Sequence, residues 1–233
     1  IERDINKAIH FYTLAANQGE PNAQLSLGIL YYSDEFVPRD INKAIHYLSL
    51  ASKNNICDAH FVLGTIFYES GIVPMDINKA IHYFSLASDQ NTPQSQYFLG
   101  TIYYENKYVQ RDINKAIHYL TLSANANVVE SQFLLGQIFC EGKYVNRDIN
   151  KSIYYYTLAA DQGLVYAEFN LALIFEDGEF VEKDMNKSIY YYTLAANQNH
   201  PRAQYNLGFI YDSGVYVEKD VNTAIYYYSL AAN

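Results

Sequence analysis

The chain has 233 residues, and its 16 Lys and Arg against 25 Asp and Glu give a net charge of −9. Because contacts with a nucleic-acid backbone depend on clustered Lys and Arg, this balance argues against nucleic acid as the partner. Apolar stretches such as Phe61 to Tyr68 end at a charge after about eight residues, whereas a membrane helix needs roughly 20. No membrane span is predicted.

One phrase recurs with a period of 36 residues, each time opening on an aspartate. These aspartates are Asp4, Asp40, Asp76, Asp112, Asp148, Asp184 and Asp220. Six full units and a half unit, residues 220–233, account for nearly all of the chain, so we expect a single repeat array over residues 1–233. The chain begins at Ile1 without a methionine or a signal region, and we expect it to be a piece of a longer polypeptide.

Each unit is predicted to begin with a helix capped by its aspartate. In the first unit, Ile5, Ile9 and Tyr12 follow the spacing of a buried helical stripe. The helix is expected to end where Gly or Asn can adopt a left-handed conformation. The residues at this position are Gly19, Asn55, Asn91, Asn127, Gly163 and Asn199.

A second helix is predicted to follow in each unit. Three units have a proline at its first position, where no backbone amide is missed. These prolines are Pro21, Pro93 and Pro201. Glycine recurs inside this helix, although it costs about 1 kcal/mol relative to alanine, and we therefore expect a neighbouring helix to cross too closely for a larger side chain. The series is Gly28, Gly64, Gly100, Gly136 and Gly208, with Ala172 in the remaining unit.

Taken together, a small residue before Leu-Gly-x-x-Tyr, a loop ending in Val-x-x-Asp, and Lys-Ala-x-x-Tyr followed by Ala-Ala resemble the Sel1-like repeat, a 36-residue relative of the tetratricopeptide repeat. The resemblance covers essentially the whole chain. It implies an all-α fold, a right-handed α-solenoid of antiparallel helix pairs with about 13 helices. The chain departs from the family pattern in its loops, where other residues replace the second glycine. These are Phe36, Ile72, Tyr108, Tyr144, Phe180 and Tyr216.

Histidine also recurs at one repeat position, as His10, His46, His82 and His118. Equivalent atoms of stacked helices lie roughly 10 Å apart, whereas zinc ligands lie about 2.0 Å from the metal. No metal site is therefore expected, and we expect these histidines to be solvent-exposed. The same expectation applies to His60 and His200.

The two cysteines, Cys57 and Cys140, form neither a zinc motif nor a disulfide framework, and we expect two small buried thiols. This usage fits a reducing compartment and favours the cytoplasm. No triad, metalloprotease motif, dinucleotide loop or phosphate-binding loop is present, so neither catalysis nor a cofactor is expected.

The candidate binding surface is one face of the second helix, whose residues differ between units while the core positions stay the same. In tetratricopeptide-like arrays the corresponding helix lines the concave side, and the resemblance implies a ligand groove there. Tyr32, Tyr68 and Tyr104 are the strongest candidates, because tyrosine offers apolar area together with a hydroxyl. The remaining candidates on this helix are Thr65, Thr101, Gln137, Glu69, Glu105, Glu141, Glu176 and Asp177.

The acidic members of this set lie near helix C-termini, where a negative charge opposes the helix dipole by a few tenths of a kcal/mol. One explanation is an ion pair across the loop with the basic residue six positions later, as for Glu105 with Arg111. The other is a groove that prefers a basic ligand. Both remain open from the sequence.

The resemblance implies a noncatalytic scaffold or adaptor that binds a protein or peptide segment, with a basic segment as one option. The alternative is an enzyme, since some cysteine-rich relatives are described as binding or hydrolysing β-lactams. Those relatives pair their cysteines, and Cys57 and Cys140 offer no such pairing. The oligomeric state and the partner's identity stay open.

Overall fold

A computed structural model describes residues 5–69, 71 and 73–232. The helices in this part of the chain number thirteen, and each has 11 to 13 residues. They are α1 (Ile5–Asn17), α2 (Pro21–Ser33), α3 (Ile41–Lys53), α4 (Cys57–Tyr68), α5 (Ile77–Ser88), α6 (Pro93–Glu105), α7 (Ile113–Asn125), α8 (Val129–Glu141), α9 (Ile149–Asp161), α10 (Val165–Asp177), α11 (Met185–Asn197), α12 (Pro201–Ser213) and α13 (Val221–Ala231).

The helices form two compact units, one ending at Ser123 and the other beginning at Ala124, so that the boundary falls within α7. In the first unit, each helix from α1 to α5 packs against the next one in the chain. In the second unit, α8 to α13 pack consecutively in the same way. The predicted all-α array of antiparallel helix pairs is confirmed.

The first helix of each repeat is capped as predicted. The carboxylate of Asp40 accepts a hydrogen bond from the Lys43 amide at 3.1 Å, and the Lys43 ammonium pairs with the same side chain at 3.1 Å. The hydrogen bond from the Lys43 amide is the main reason why the pKa of Asp40 lies below its usual value. The same cap forms at Asp76, Asp112, Asp148 and Asp184. Asp220 accepts from the amide of Thr223 instead, at 3.1 Å, and Asp4 lies outside the described residues.

The first helices also end as predicted, at a residue with positive φ. Gly19 has φ 89° and Asn55 has φ 58°. Asn91, Asn127, Gly163 and Asn199 repeat this conformation. The three prolines begin α2, α6 and α12, as predicted.

The glycine inside the second helix marks a close helix crossing, as the sequence suggests. A Cβ placed on Gly100 in α6 would lie 2.6 Å from Cγ of Leu120 in α7. In the second unit, a Cβ on Gly136 would lie 2.5 Å from the ring of Tyr156 in α9. The absence of a side chain therefore allows the first helix of the next repeat to bury its central residue directly against the second-helix backbone.

Aromatic residues form a second contact at the same junctions. The ring of Tyr47 in α3 stacks on Tyr31 in α2 with centroids 6.2 Å apart, and the Lys43 ammonium lies 4.9 Å from the centre of the Tyr31 ring. Equivalent stacked pairs are Phe67 with Tyr83, Tyr103 with Tyr119, Phe139 with Tyr155, Phe175 with Tyr191, and Tyr211 with Tyr227. These six pairs contain nine of the 25 tyrosines.

A buried polar residue in the second helix completes the junction. The side-chain amide of Gln132 donates to the carbonyl of Ala124 at 3.1 Å and accepts from the Gln162 amide at 2.7 Å. His60 occupies the same repeat position, is 2% exposed and contacts the carbonyl of Ser52 at 3.2 Å. The expectation that His60 is solvent-exposed is therefore wrong, and burial lowers its pKa.

In the fifth repeat, Glu168 replaces this glutamine. It is 3% exposed, and the amide of Gln198 donates to both of its carboxylate oxygens at 2.9 Å. Burial raises the pKa of Glu168. A carboxylate also lacks the N–H group with which Gln132 reaches a main-chain carbonyl.

Gly100→Ala tests the helix crossing. Helix propensity alone would stabilise the variant by about 1 kcal/mol, but the added methyl group overlaps Leu120. We expect overpacking to dominate and to lower the unfolding free energy by about 1–3 kcal/mol, measured by urea denaturation. In a Leu120→Ala background, the same substitution should become neutral or stabilising. A stabilised Gly100→Ala single variant would contradict the crossing argument.

Glu168→Gln tests the buried polar position. Because burial raises the folded-state pKa of Glu168, its favourable contribution is present at low pH and is lost as pH rises through that pKa. We expect the variant to be about 1 kcal/mol more stable than the wild type at pH 7, as for one added hydrogen bond, and this difference to shrink on acidification. Thermal melting at several pH values measures it, with the exposed Glu179→Gln as control; a less stable variant at pH 7 would refute the argument.

Candidate functional site

The three candidate tyrosines stand at the C-terminal ends of α2, α4 and α6, and all three are half-buried. The hydroxyl of Tyr32 donates to the carboxylate of Glu69, in the next repeat, at 3.4 Å. Burial, followed by the charge of Glu69, raises the pKa of Tyr32. A tyrosine and an acid from consecutive repeats therefore meet on this surface.

Tyr68 takes part in packing to a greater extent than the sequence suggests. Its ring lies edge-on to Phe98 with centroids 5.5 Å apart, and to Phe84 and Tyr108 at 6.2 Å. Burial is the main cause of its raised pKa, and the charge of Glu105 adds to it. Part of this side chain therefore serves the repeat junction.

The two candidate threonines use their hydroxyls within their own helices. Thr65 donates to the carbonyl of Phe61 at 3.1 Å, and Thr101 donates to that of Tyr97 at 3.0 Å. Both side chains are half-buried. Their hydroxyl protons are engaged, so a ligand would find mainly acceptor oxygens here.

The acidic side chains Glu69 and Glu105 are exposed at the ends of α4 and α6. The guanidinium of Arg111 donates to the main-chain carbonyls of Tyr104 at 2.5 Å and Glu105 at 3.4 Å. In the second unit, Arg147 donates to the main-chain carbonyl of Glu141 at 3.4 Å. These arginines satisfy carbonyls that a helix end leaves open, which is a different contact from the loop ion pair considered for Glu105.

In the second unit, the candidate residues differ in their surroundings. Gln137 is half-buried, and Glu141 and Asp177 are exposed. Glu176 is half-buried and accepts a hydrogen bond from the Tyr192 hydroxyl at 2.5 Å. Burial and this hydrogen bond raise the pKa of Tyr192, so Glu176 has a structural partner that its sequence position did not reveal.

A cavity of about 460 Å³ lies beside Glu176 and Asp177 in the second unit. Its other lining residues are Cys140, Arg147, Ile149, Leu173, Ile174 and Phe180. The guanidinium carbon of Arg147 lies 4.5 Å from the centre of the Phe180 ring. This cavity was not predicted from the sequence, although the change from tyrosine in the first three repeats to Cys140 in the fourth was a visible signal.

Among the described residues, no group of three or more His, Cys, Asp or Glu side chains is placed to hold a metal ion. Cys57 and Cys140 are free thiols and are half-buried, so they are less buried than expected. His46 and its equivalents His10, His82 and His118 are exposed, as predicted. No helix in the described ranges is both long enough and apolar enough to span a membrane.

Comparisons with known proteins identify the repeat. A protective antigen of uropathogenic Escherichia coli that displays an SLR fold is similar, with a TM-score of 0.90 and 28% identity over 98% of this chain and 49% of that one. A Sel1 repeat protein from Oxalobacter formigenes gives a TM-score of 0.82 and 27% identity over 100% of this chain and 70% of that one. The present chain thus spans about half the length of the Escherichia coli protein.

No curated protein gave a significant match. The Sel1 repeat family matches residues 1–20, 21–56, 57–92, 93–128, 129–164, 165–200 and 201–233. These family boundaries open each full repeat on the second helix of the pair instead of on the capping aspartate. Because the matches together take in the whole chain, the protein belongs to the Sel1 repeat family.

Proposed function

We propose that this protein is a noncatalytic scaffold that binds a peptide segment of a partner protein on the variable face of its second helices, and that the segment is basic. The observation that carries the proposal is the contact between Tyr32 and Glu69. It brings an aromatic ring, a hydroxyl and a carboxylate from two repeats to one accessible place.

The chemistry of this face supports a peptide ligand. Tyrosine provides apolar area at a low cost in conformational entropy and also offers a hydroxyl. The exposed carboxylates of Glu69 and Glu105 favour a cationic side chain. The net charge of −9 adds a long-range attraction for a basic segment.

The main-chain contacts of one loop arginine, Arg111, support an acidic character of this face. Arg111 is held against main-chain carbonyls at the end of α6, and its guanidinium carbon lies 5.8 Å from the centre of the Tyr104 ring. Its position favours a role in closing the helix end. The neighbouring carboxylate of Glu105 is exposed at the surface.

Selection from a library of random 12-residue peptides tests the proposal. We expect the recovered peptides to be rich in Lys and Arg. The double variant Glu69→Gln/Glu105→Gln should weaken their binding about two- to thirtyfold, since each of the two exposed ion pairs contributes about 0.2–1 kcal/mol. Isothermal titration calorimetry measures the dissociation constants, and thermal melting checks that the fold is unchanged.

The control is Glu179→Gln/Glu182→Gln, which makes the same change in net charge at two exposed loop residues. We expect this pair to leave the dissociation constant within about twofold of the wild type. An equal loss in both double variants would show general charge attraction and contradict the assignment. Recovery of no peptide above background would contradict it as well.

A further inference from the structure

The cavity beside Cys140 arises from one side-chain change in the repeat. Cys140 occupies the position that is tyrosine in each of the first three repeats. In the second repeat, the ring of Tyr68 packs edge-on against Tyr108, with centroids 6.2 Å apart. Phe180 is the counterpart of Tyr108, and it lines the cavity together with Cys140. The small thiol leaves space where the first three repeats place a ring.

The size and walls of the cavity suit an aromatic side chain. Its volume of about 460 Å³ lies within the range of roughly 300–1,000 Å³ that is usual for ligand pockets. Ile149, Leu173 and Ile174 supply apolar surface next to the Phe180 ring. Aromatic rings gain about 0.5–1.5 kcal/mol from an offset or edge-on contact with another ring, beyond the burial of apolar area.

The charged groups around the cavity favour a cation beside that ring. Glu176 and Asp177 contribute two carboxylates, against the single guanidinium of Arg147. The carboxylate of Glu176 is oriented by the Tyr192 hydroxyl. Arg147 is held over the Phe180 ring and against a main-chain carbonyl. The excess of acid is therefore built into the wall of the cavity.

We propose that this cavity receives an aromatic side chain of a partner peptide in which a basic residue follows the aromatic one. The partner would supply in trans the ring that Tyr68 supplies in cis in the second repeat. The basic residue would pair with Glu176 and Asp177. This inference rests on the proposed function, because it takes the partner to be a peptide segment.

Three short peptides test the proposal on the 233-residue protein. The probe is acetyl-Gly-Phe-Arg-Gly-amide, and the comparison peptides replace its Phe by Ala or its Arg by Glu. Saturation-transfer NMR measures binding to the unlabelled protein. We expect the probe to bind at least fivefold more tightly than either comparison peptide. Equal binding of the probe and the Ala peptide would overturn the proposal.

Two substitutions at Cys140 locate the binding. Cys140→Tyr introduces the side chain of the first three repeats and fills the cavity, whereas Cys140→Ala keeps the space open and removes the thiol. We expect Cys140→Tyr to weaken binding of the probe peptide at least fivefold and Cys140→Ala to leave its dissociation constant within twofold of the wild type. The circular dichroism of both variants should be unchanged. If Cys140→Tyr binds the probe as tightly as the wild type does, the proposed site is wrong.

Alkylation of the unmodified protein keeps the test valid if Cys140→Tyr does not fold. The probe peptide should slow carbamidomethylation of Cys140 by iodoacetamide at least twofold, measured by mass spectrometry. Cys57, which is also half-buried, serves as the internal reference and should react at an unchanged rate. Equal rates at Cys140 with and without the probe would overturn the proposal.

The outcomes separate this inference from the proposed function. Glu69 and Glu105 lie in the first unit, so the double variant Glu69→Gln/Glu105→Gln should bind the tetrapeptide probe with unchanged affinity. If the library peptides lose affinity only in that double variant and the probe does not bind, the cavity proposal fails while the proposed function stands. If the probe binds at Cys140 and the library peptides bind Glu69→Gln/Glu105→Gln as tightly as the wild type, the assignment of the binding face is wrong.

Discussion

The close crossing between the second helix of one repeat and the first helix of the next is the contact on which the rest of each unit depends. At Gly136 the backbone itself forms the wall against which Tyr156 packs. The stacked pair of Phe139 and Tyr155 joins the same two helices, with Phe139 one turn after Gly136 and Tyr155 next to Tyr156. The polar contact between Gln132 and Gln162 lies on the other side of the crossing. Apolar packing, ring stacking and buried hydrogen bonds therefore act at the same helix junction.

One position near the C-terminal end of the second helix has different contacts from repeat to repeat. Tyr68 fills the space towards the next repeat, whereas Cys140 leaves a cavity in the same place. Glu176, at this position in the fifth repeat, instead accepts a hydrogen bond from Tyr192. One repeat position thus supports packing, a cavity or a buried polar contact without changing the helices around it.

Much of the fold could be predicted because its signals are local and recur at every period. The capping aspartate, the Gly or Asn at the helix end and the glycine of the crossing each have a conformational or steric cause that the sequence displays directly. The partners of the polar side chains were harder to predict. Nothing near Glu176 in sequence points to Tyr192, since that contact depends on the next repeat. The prediction that His60 is exposed was wrong, although His60 occupies the same repeat position as the buried Gln24 and Gln96.

The uniform crossing has a consequence for how such a protein changes in length. Every crossing joins residues 20 positions apart, as in Gly64 with Phe84 and Gly100 with Leu120. An in-frame loss of the 36 residues that begin just after Gly64 would place this glycine opposite Leu120, a partner that a glycine already accommodates. Unequal recombination between repeats within a unit can therefore remove or add a whole helix pair while the new crossing keeps a glycine opposite a residue that glycine already accommodates. Each such event also removes or adds the surface residues of a whole repeat, so the candidate binding surface changes in blocks.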